Sequence, residues 1–176
     1  MSRFILYKPT PQDVAEAYRR SVALGIPPSS ATRGRGRMTG FLGEIAFEKA
    51  FPDAIYVGDR SFTHDYEIEK LRVDIKSKIC NSPPLNHYYA TVMAADHKTP
   101  LKADVYFFTR VLSDLSKVWL CGWMKAKPIQ KPKFFYGKGE SDKTGFTFLN
   151  NGYQIPIRLT RRPDSFPSPC QISSQG

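Results

Sequence analysis

Apolar positions recur at helical spacing over PQDVAEAYRRSVAL, residues 11–24, where Val14, Tyr18 and Val22 share one face. Pro11 suits the first turn of such a helix and Gly25 its end. The stretch IPPSSATRGRGRMTG that follows is rich in Pro, Ser, Gly and Arg and predicts a loop. A second helix is expected from about Thr39 to Phe51, capped by Thr39 and stopped by Pro52. From His64 the period falls to two, predicting strands over residues 64–69, 71–78, 88–94, 104–111 and 117–123. The turn residues LSDLS join the last two into a hairpin. Residues 125–145 carry no assignable period, and short strands are expected at 146–149 and 153–157. The run PDSFPSPCQISSQG after Arg162 reads as a flexible C-terminal tail, leaving one domain over residues 1–162. The element pattern predicts an α/β chain of the α+β kind, with a central mixed sheet flanked by helices.

Composition narrows the partners. With 176 residues, 41% of them apolar, the chain holds enough for one core. Its 26 Lys and Arg against 16 Asp and Glu leave a formal charge of +10, which favours a polyanion, nucleic acid first. No apolar run reaches the roughly 18 residues that span a bilayer, so no membrane association is expected. Cys80, Cys121 and Cys170 are odd in number and far apart, as reduced thiols in a cytoplasmic protein would be. His64, His87 and His97 have no metal-ligand spacing, and Phe107, Phe108, Trp119 and Trp123 sit in apolar runs that suit a core.

The strands 64–69 and 71–78 carry the chemistry. With a turn centred between Glu69 and Lys70, facing residues have numbers summing to 139, which sets Asp65 opposite Asp74 and Glu67 opposite Arg72. Tyr66, Ile68, Leu71, Val73 and Ile75 then face the core, while Asp65, Asp74, Lys76 and Lys78 share the other face. Two carboxylates about 5 Å apart across a ladder repel each other unless a proton, a cation or a divalent metal lies between them. Carboxylates, a carbonyl and water form an ordinary oxygen set for Mg²⁺, and Lys76 adds a positive charge to orient water or stabilise a phosphate. In TGFLGEIAFEKAF, Glu44 leaves the helix beside the apolar Phe41, Ile45 and Phe47, and Gly40 and Gly43 permit close approach to a sheet. The same residues also suit a solvated charged hairpin and an acid near a helix start.

An acidic helix residue, an acid on one strand and D-x-K on the next resemble the PD-(D/E)XK nuclease superfamily, in GEIAFEKAF, HDYEIE and VDIKSK. The likeness is to small phage-encoded members. It implies a restriction-endonuclease-like core in which Asp65, Asp74 and the Ile75 carbonyl bind Mg²⁺ (or Mn²⁺), with Glu44 contributing directly or through water. Lys76 would assist the attacking water, making Glu44, Asp65, Asp74 and Lys76 the catalytic set and leaving a 5′-phosphate. His64 stands where the superfamily often has proline, and Asp74 where glutamate is frequent. The superfamily core often has a helix before its fourth strand, where only AADHKTPLKA is available here.

Arg33, Arg35 and Arg37, alternating with glycine, and Lys78 are candidate phosphate contacts for DNA. Lysines mix with aromatics in the FFYGKG region, as a nucleic-acid groove or a loop over core rings would have them. Cutting both strands of a duplex usually needs two active sites, which points to a homodimer. Alternative expectations are a non-catalytic phage module that binds nucleic acid or a host protein, and a nuclease for branched DNA or RNA.

Overall fold

The computed structural model describes residues 2–24 and 35–172. Ile5–Tyr7 forms a short strand, β1, followed by helix α1 over Pro11–Ala23. Thr10 and Asp13 close a capping box at the start of α1, and Asp13 Oδ2 also accepts from Tyr7 Oη at 2.6 Å. This buries Asp13 together with Ala17, whereas Tyr18 and Val22 stay exposed. The expected apolar face is thus corrected: Val14 meets the core, and the rest of that stripe does not.

Helix α2 spans Arg35–Ala50, starting four positions before the expected Thr39. Thr39 is no cap; it lies buried inside the helix. The RGRM stretch, read from its glycines as loop, is helical from Arg35, so a short glycine-containing run did not outweigh burial of the helix it leads into.

Strands β2 (Ile55–Tyr56), β3 (Tyr66–Ile68), β4 (Leu71–Cys80), β5 (Tyr89–Met93), β6 (Val105–Leu112) and β7 (Val118–Lys125) follow. A single turn of helix, α3 (Ala126–Ile129), then leads to β8 (Phe135–Tyr136) and β9 (Gly152–Pro156). The main sheet has six strands in the order β1-β7-β6-β4-β3-β2; β4 and β6 run parallel and the other pairs antiparallel. The α+β expectation with a central mixed sheet therefore holds. Residues 146–149 form no named strand; Thr147 makes an isolated bridge to Ser141.

Strand β5, expected beside the others, instead joins β9 and β8 in a separate three-stranded sheet. The connection from β4 to β6 thus crosses through this second sheet, and residues 94–104 contain no helix. A parallel pair needs a dozen or more linking residues, and a strand meets that length as well as a helix does.

The main sheet is covered on both sides. Val73, Ile75, Phe107 and Leu120 pack with Leu42, Ile45 and Phe47 of α2. On the reverse face Cys80, Phe108 and Cys121 pack with Val92, Tyr153 and Ile155 of the small sheet. Double coverage explains the nearly unbroken apolar run of β6. The tail is not loose as far as Ile172: a 3-10 turn at Pro163–Ser165 delivers Phe166 into the main core, 4.8 Å from Phe51 and 5.5 Å from Trp123 by ring centroid. Gln171 N also donates to Ala50 O. Among the described residues no helix is long and apolar enough to cross a membrane.

Candidate functional site

Strands β3 and β4 pair with Tyr66 opposite Val73, Glu67 opposite Arg72 and Ile68 opposite Leu71, the register read from the alternation. Glu69 and Lys70 turn the chain with φ of 49° and 65°, the left-handed conformations of a tight hairpin. One step beyond the paired strand, Asp65 N donates to Val73 O at 2.9 Å. Asp65 Oδ2 accepts from Ile75 N at 2.7 Å, and burial with the charge of the neighbouring Asp74 raises the pKa of its carboxyl. Lys76 Nζ lies 2.7 Å from Asp74 Oδ2. The hairpin therefore brings both expected acids and the lysine together.

The expected Glu67–Arg72 pair does not form. Arg72 closes a fork on Asp104, at 2.8 Å and 3.0 Å, and Glu67 turns to His64 Nε2 at 3.2 Å. Asp104 offers both oxygens to the guanidinium and one to the Arg72 backbone N, which a residue facing Arg72 across the ladder does not match.

Helix α2 supplies the third acid. A Cβ on Gly43 would overlap Ser77 Oγ and Thr109 Oγ1, so glycine is what lets the helix lie directly on β4 and β6. Gly40 has open space at its Cβ position and contributes through its carbonyl, which accepts from Ser77 Oγ at 3.4 Å. The next residue after Gly43 is Glu44, whose Oε2 is buried without a hydrogen-bond partner. Burial, then the charge of Asp65, pushes the Glu44 carboxyl up to about 9, with Arg20 opposing. Burial and the neighbouring Asp74 likewise push Asp65 up to about 7, against the Ile75 N–H and Lys76. At neutral pH this cluster holds protons that ordinary carboxyls release.

Behind it lies a second layer. Arg20 of α1 grips both oxygens of Glu48 at 3.0 Å and 3.3 Å and one oxygen of Glu16 at 2.9 Å. Tyr66 Oη donates to Glu48 Oε1 at 2.7 Å, and the Arg20 guanidinium lies 5.0 Å from the Tyr56 ring centroid. Burial works against the charge of Arg20, and Glu48 and Glu16 outweigh it. The network ties α1, α2 and β3 together immediately beside Glu44. A glutamate–arginine pair 28 positions apart has no sequence signature.

Asp65, Asp74 and Lys76 line a cleft of about 430 Å³ walled by residues 61–64 and by the segment 93–102 between β5 and β6. The wall residue His64 is buried, with Nδ1 2.7 Å from Thr63 Oγ1. Lys78 continues the Lys76 face, its Nζ 5.5 Å from the Phe146 ring centroid. Arg33 lies outside the described residues. Arg35 and Arg37 stand in the first turn of α2, and Arg37 does not line this cleft.

Among the described residues no three His, Cys, Asp or Glu side chains are gathered as a ready-made metal cage. The donor chemistry nonetheless suits a hard divalent cation: two carboxyls lining one cleft, a third with an unpartnered buried oxygen, and no soft ligand among them. No protein-family model matches this sequence, and no curated protein matches it.

Proposed function

We propose that the protein is a Mg²⁺-dependent nuclease of the PD-(D/E)XK type, hydrolysing DNA phosphodiester bonds at the Asp65–Asp74 cleft. The observation that carries this reading is the pair Asp65 and Asp74 in the cleft, with Lys76 on Asp74, and the buried Glu44 carboxyl near enough for Asp65 to raise it further. Acids crowded at a cost to the fold, in a cleft of a basic protein, are the arrangement expected of a site kept for a cation and a phosphate. A restriction-endonuclease-like core is supported by the acid-bearing hairpin inside a mixed sheet backed by the Glu44 helix; the helix-free crossover to β6 departs from it.

In this reading Asp65, Asp74 and the Ile75 carbonyl would hold Mg²⁺ or Mn²⁺, with Glu44 contributing directly or through water. The bound cation supplies Lewis-acid stabilisation of charge on the phosphate. Lys76, released from Asp74, sets its ammonium against the phosphate or the attacking water. Water adds to phosphorus, the P–O3′ bond breaks, and a 5′-phosphate and a 3′-hydroxyl result. Glu48 and Arg20 position Glu44 without touching substrate.

Incubation of supercoiled, linear and single-stranded DNA with and without Mg²⁺ tests the proposal. Cleavage that chelator and Asp74→Ala abolish, with folding retained by circular dichroism, supports it. Salt-sensitive DNA binding with no effect of Mg²⁺ on cleavage or stability replaces it with a non-catalytic binding module.

A further inference from the structure

Lys76 lines the 430 Å³ cleft. That residue also lines a second cleft, of about 250 Å³, whose far side is Tyr89–Thr91 of β5 and whose mouth carries Lys78 and Phe146. Strand β5 lies at the edge of its sheet, paired only with β9 among the described strands, and it touches β4. Met93 of the same strand lines the first cleft. Lys76 and strand β5 are thus common to both clefts, the acids lining one and Lys78 and Phe146 the other.

We propose that these two clefts form a groove for one unpaired nucleic-acid strand, with the phosphate to be cut at Asp65 and Asp74 and the neighbouring nucleotide set against the outer side of the Lys78–Phe146 pair. The substrate class this names rests on the nuclease reading above.

Three observations favour a single strand over a duplex. The Asp74 side chain is only 14% exposed, so the phosphate must enter the cleft and cannot stop at its rim. The space of about 430 Å³ is that of a small-ligand pocket, and the adjoining 250 Å³ is smaller still, neither of a size to take stacked base pairs. The second cleft pairs cations with an exposed ring, the combination that binds unpaired strands: Phe146 is 47% exposed, stands edge-on to Phe148 at 5.1 Å, and lies under the Lys78 ammonium. Arg110 adds charge from within. Its Nη2 donates to the neutral Tyr89 O at 2.7 Å and its guanidinium lies 5.0 Å from the Tyr88 ring centroid. Asp142 offsets part of this field at Lys78.

The test measures binding and cleavage separately. A labelled oligonucleotide of about 15 nucleotides, as single-stranded DNA, as single-stranded RNA and as blunt DNA duplex, is titrated with the full chain in chelator and followed by fluorescence anisotropy. At least tenfold tighter binding of a single strand, DNA or RNA, than of the duplex is expected. Phe146→Ala should weaken it about 5- to 100-fold, the worth of one stacked base, and Lys78→Gln should lower its salt dependence by roughly one phosphate contact. Equal affinity for strand and duplex, no binding, or indifference to both substitutions overturns the groove. With Mg²⁺, preferential cleavage of single strands or frayed ends supports it, and nicking of closed duplex at the same rate overturns it while leaving the nuclease reading intact. Selective single-strand binding without hydrolysis of any substrate retires the nuclease reading and leaves the groove.

Discussion

Asp65 Oδ2 accepts the Ile75 backbone N–H at 2.7 Å across the hairpin, so the first acid is fixed to the strand that carries the second. That bond holds Asp65 against Asp74 despite their repulsion, and the tension it maintains should be measurable as pH-dependent stability.

Carboxyls whose folded pKa is raised bind more protons in the folded chain than in the unfolded one, so their contribution is complete near pH 4 and is lost as pH rises. With Asp65 held up to about 7 and Glu44 to about 9, the cation-free protein should lose melting temperature steadily between about pH 4 and 9. Asp65→Asn retains an acceptor for Ile75 N and presents a donor to Asp74. It should raise the melting temperature at pH 8 by several degrees and flatten the profile, about 1 kcal/mol corresponding to ~2–4 °C at this chain length. Calorimetry across the pH series would read this directly; a profile unchanged by the substitution would contradict it.

Mg²⁺ or Mn²⁺ should do the same for the wild-type chain. At a hundredfold excess over Kd, ligand binding stabilises by about 2.7 kcal/mol, and chelator should reverse the gain. Glu44→Gln together with Asp74→Asn should remove the response. Stability indifferent to either metal would leave the three acids without the cation assigned to them.

Gly43→Ala should separate α2 from the sheet. The added methyl overlaps two hydroxyls, those of Ser77 and Thr109, and overpacking of this kind costs about 1–3 kcal/mol. Because Glu44 is the next residue, hydrolysis should fall further than stability does. Removing the hydroxyls in a Gly43→Ala, Ser77→Ala, Thr109→Ala variant should recover much of both, as urea melts and cleavage rates would register.

Arg20→Met should expose how far the Glu48–Tyr66 layer supports the centre. Losing the cation leaves Glu48 half-buried without its partner, at a cost of about 3 kcal/mol. It also removes the charge that opposes the rise at Glu44, so the acid limb of a cleavage pH profile should move upward. A loss of stability with no movement of that limb would mean the network serves the fold alone.

Phe166→Ala should cost about 3–5 kcal/mol, as for a fully packed core ring. Its ring stands within 5.7 Å of Phe47 and 5.6 Å of Phe107 by centroid, in addition to Phe51 and Trp123. Truncation after Arg162 should be at least as damaging in a denaturant titration.

The acid-bearing hairpin was legible in the sequence because period-two alternation on both strands fixes face and register together, and Asp65, Asp74 and Lys76 follow from it. Glu44 was legible from its spacing to a glycine and to apolar neighbours. Phe166 was not, because a single ring in a polar, proline-rich run carries no period. Nor was the second sheet: β5 and β9 pair across some sixty positions, and nothing local in either strand names its partner. The cleft wall at 93–102 and the Arg20–Glu48 grip were hidden for the same reason. Tyr18 and Val22 misled because a helical stripe tells which residues share a side, not whether that side is covered.

Glu69 and Lys70 make the hairpin's turn from residues that carry full side chains in a backbone shape glycine prefers, and both face water. The strands are therefore aligned by their buried sides, not by the tip that joins them. That tip is a handle: a fluorophore, an affinity tag or a few added residues could be attached there without altering how the acids meet.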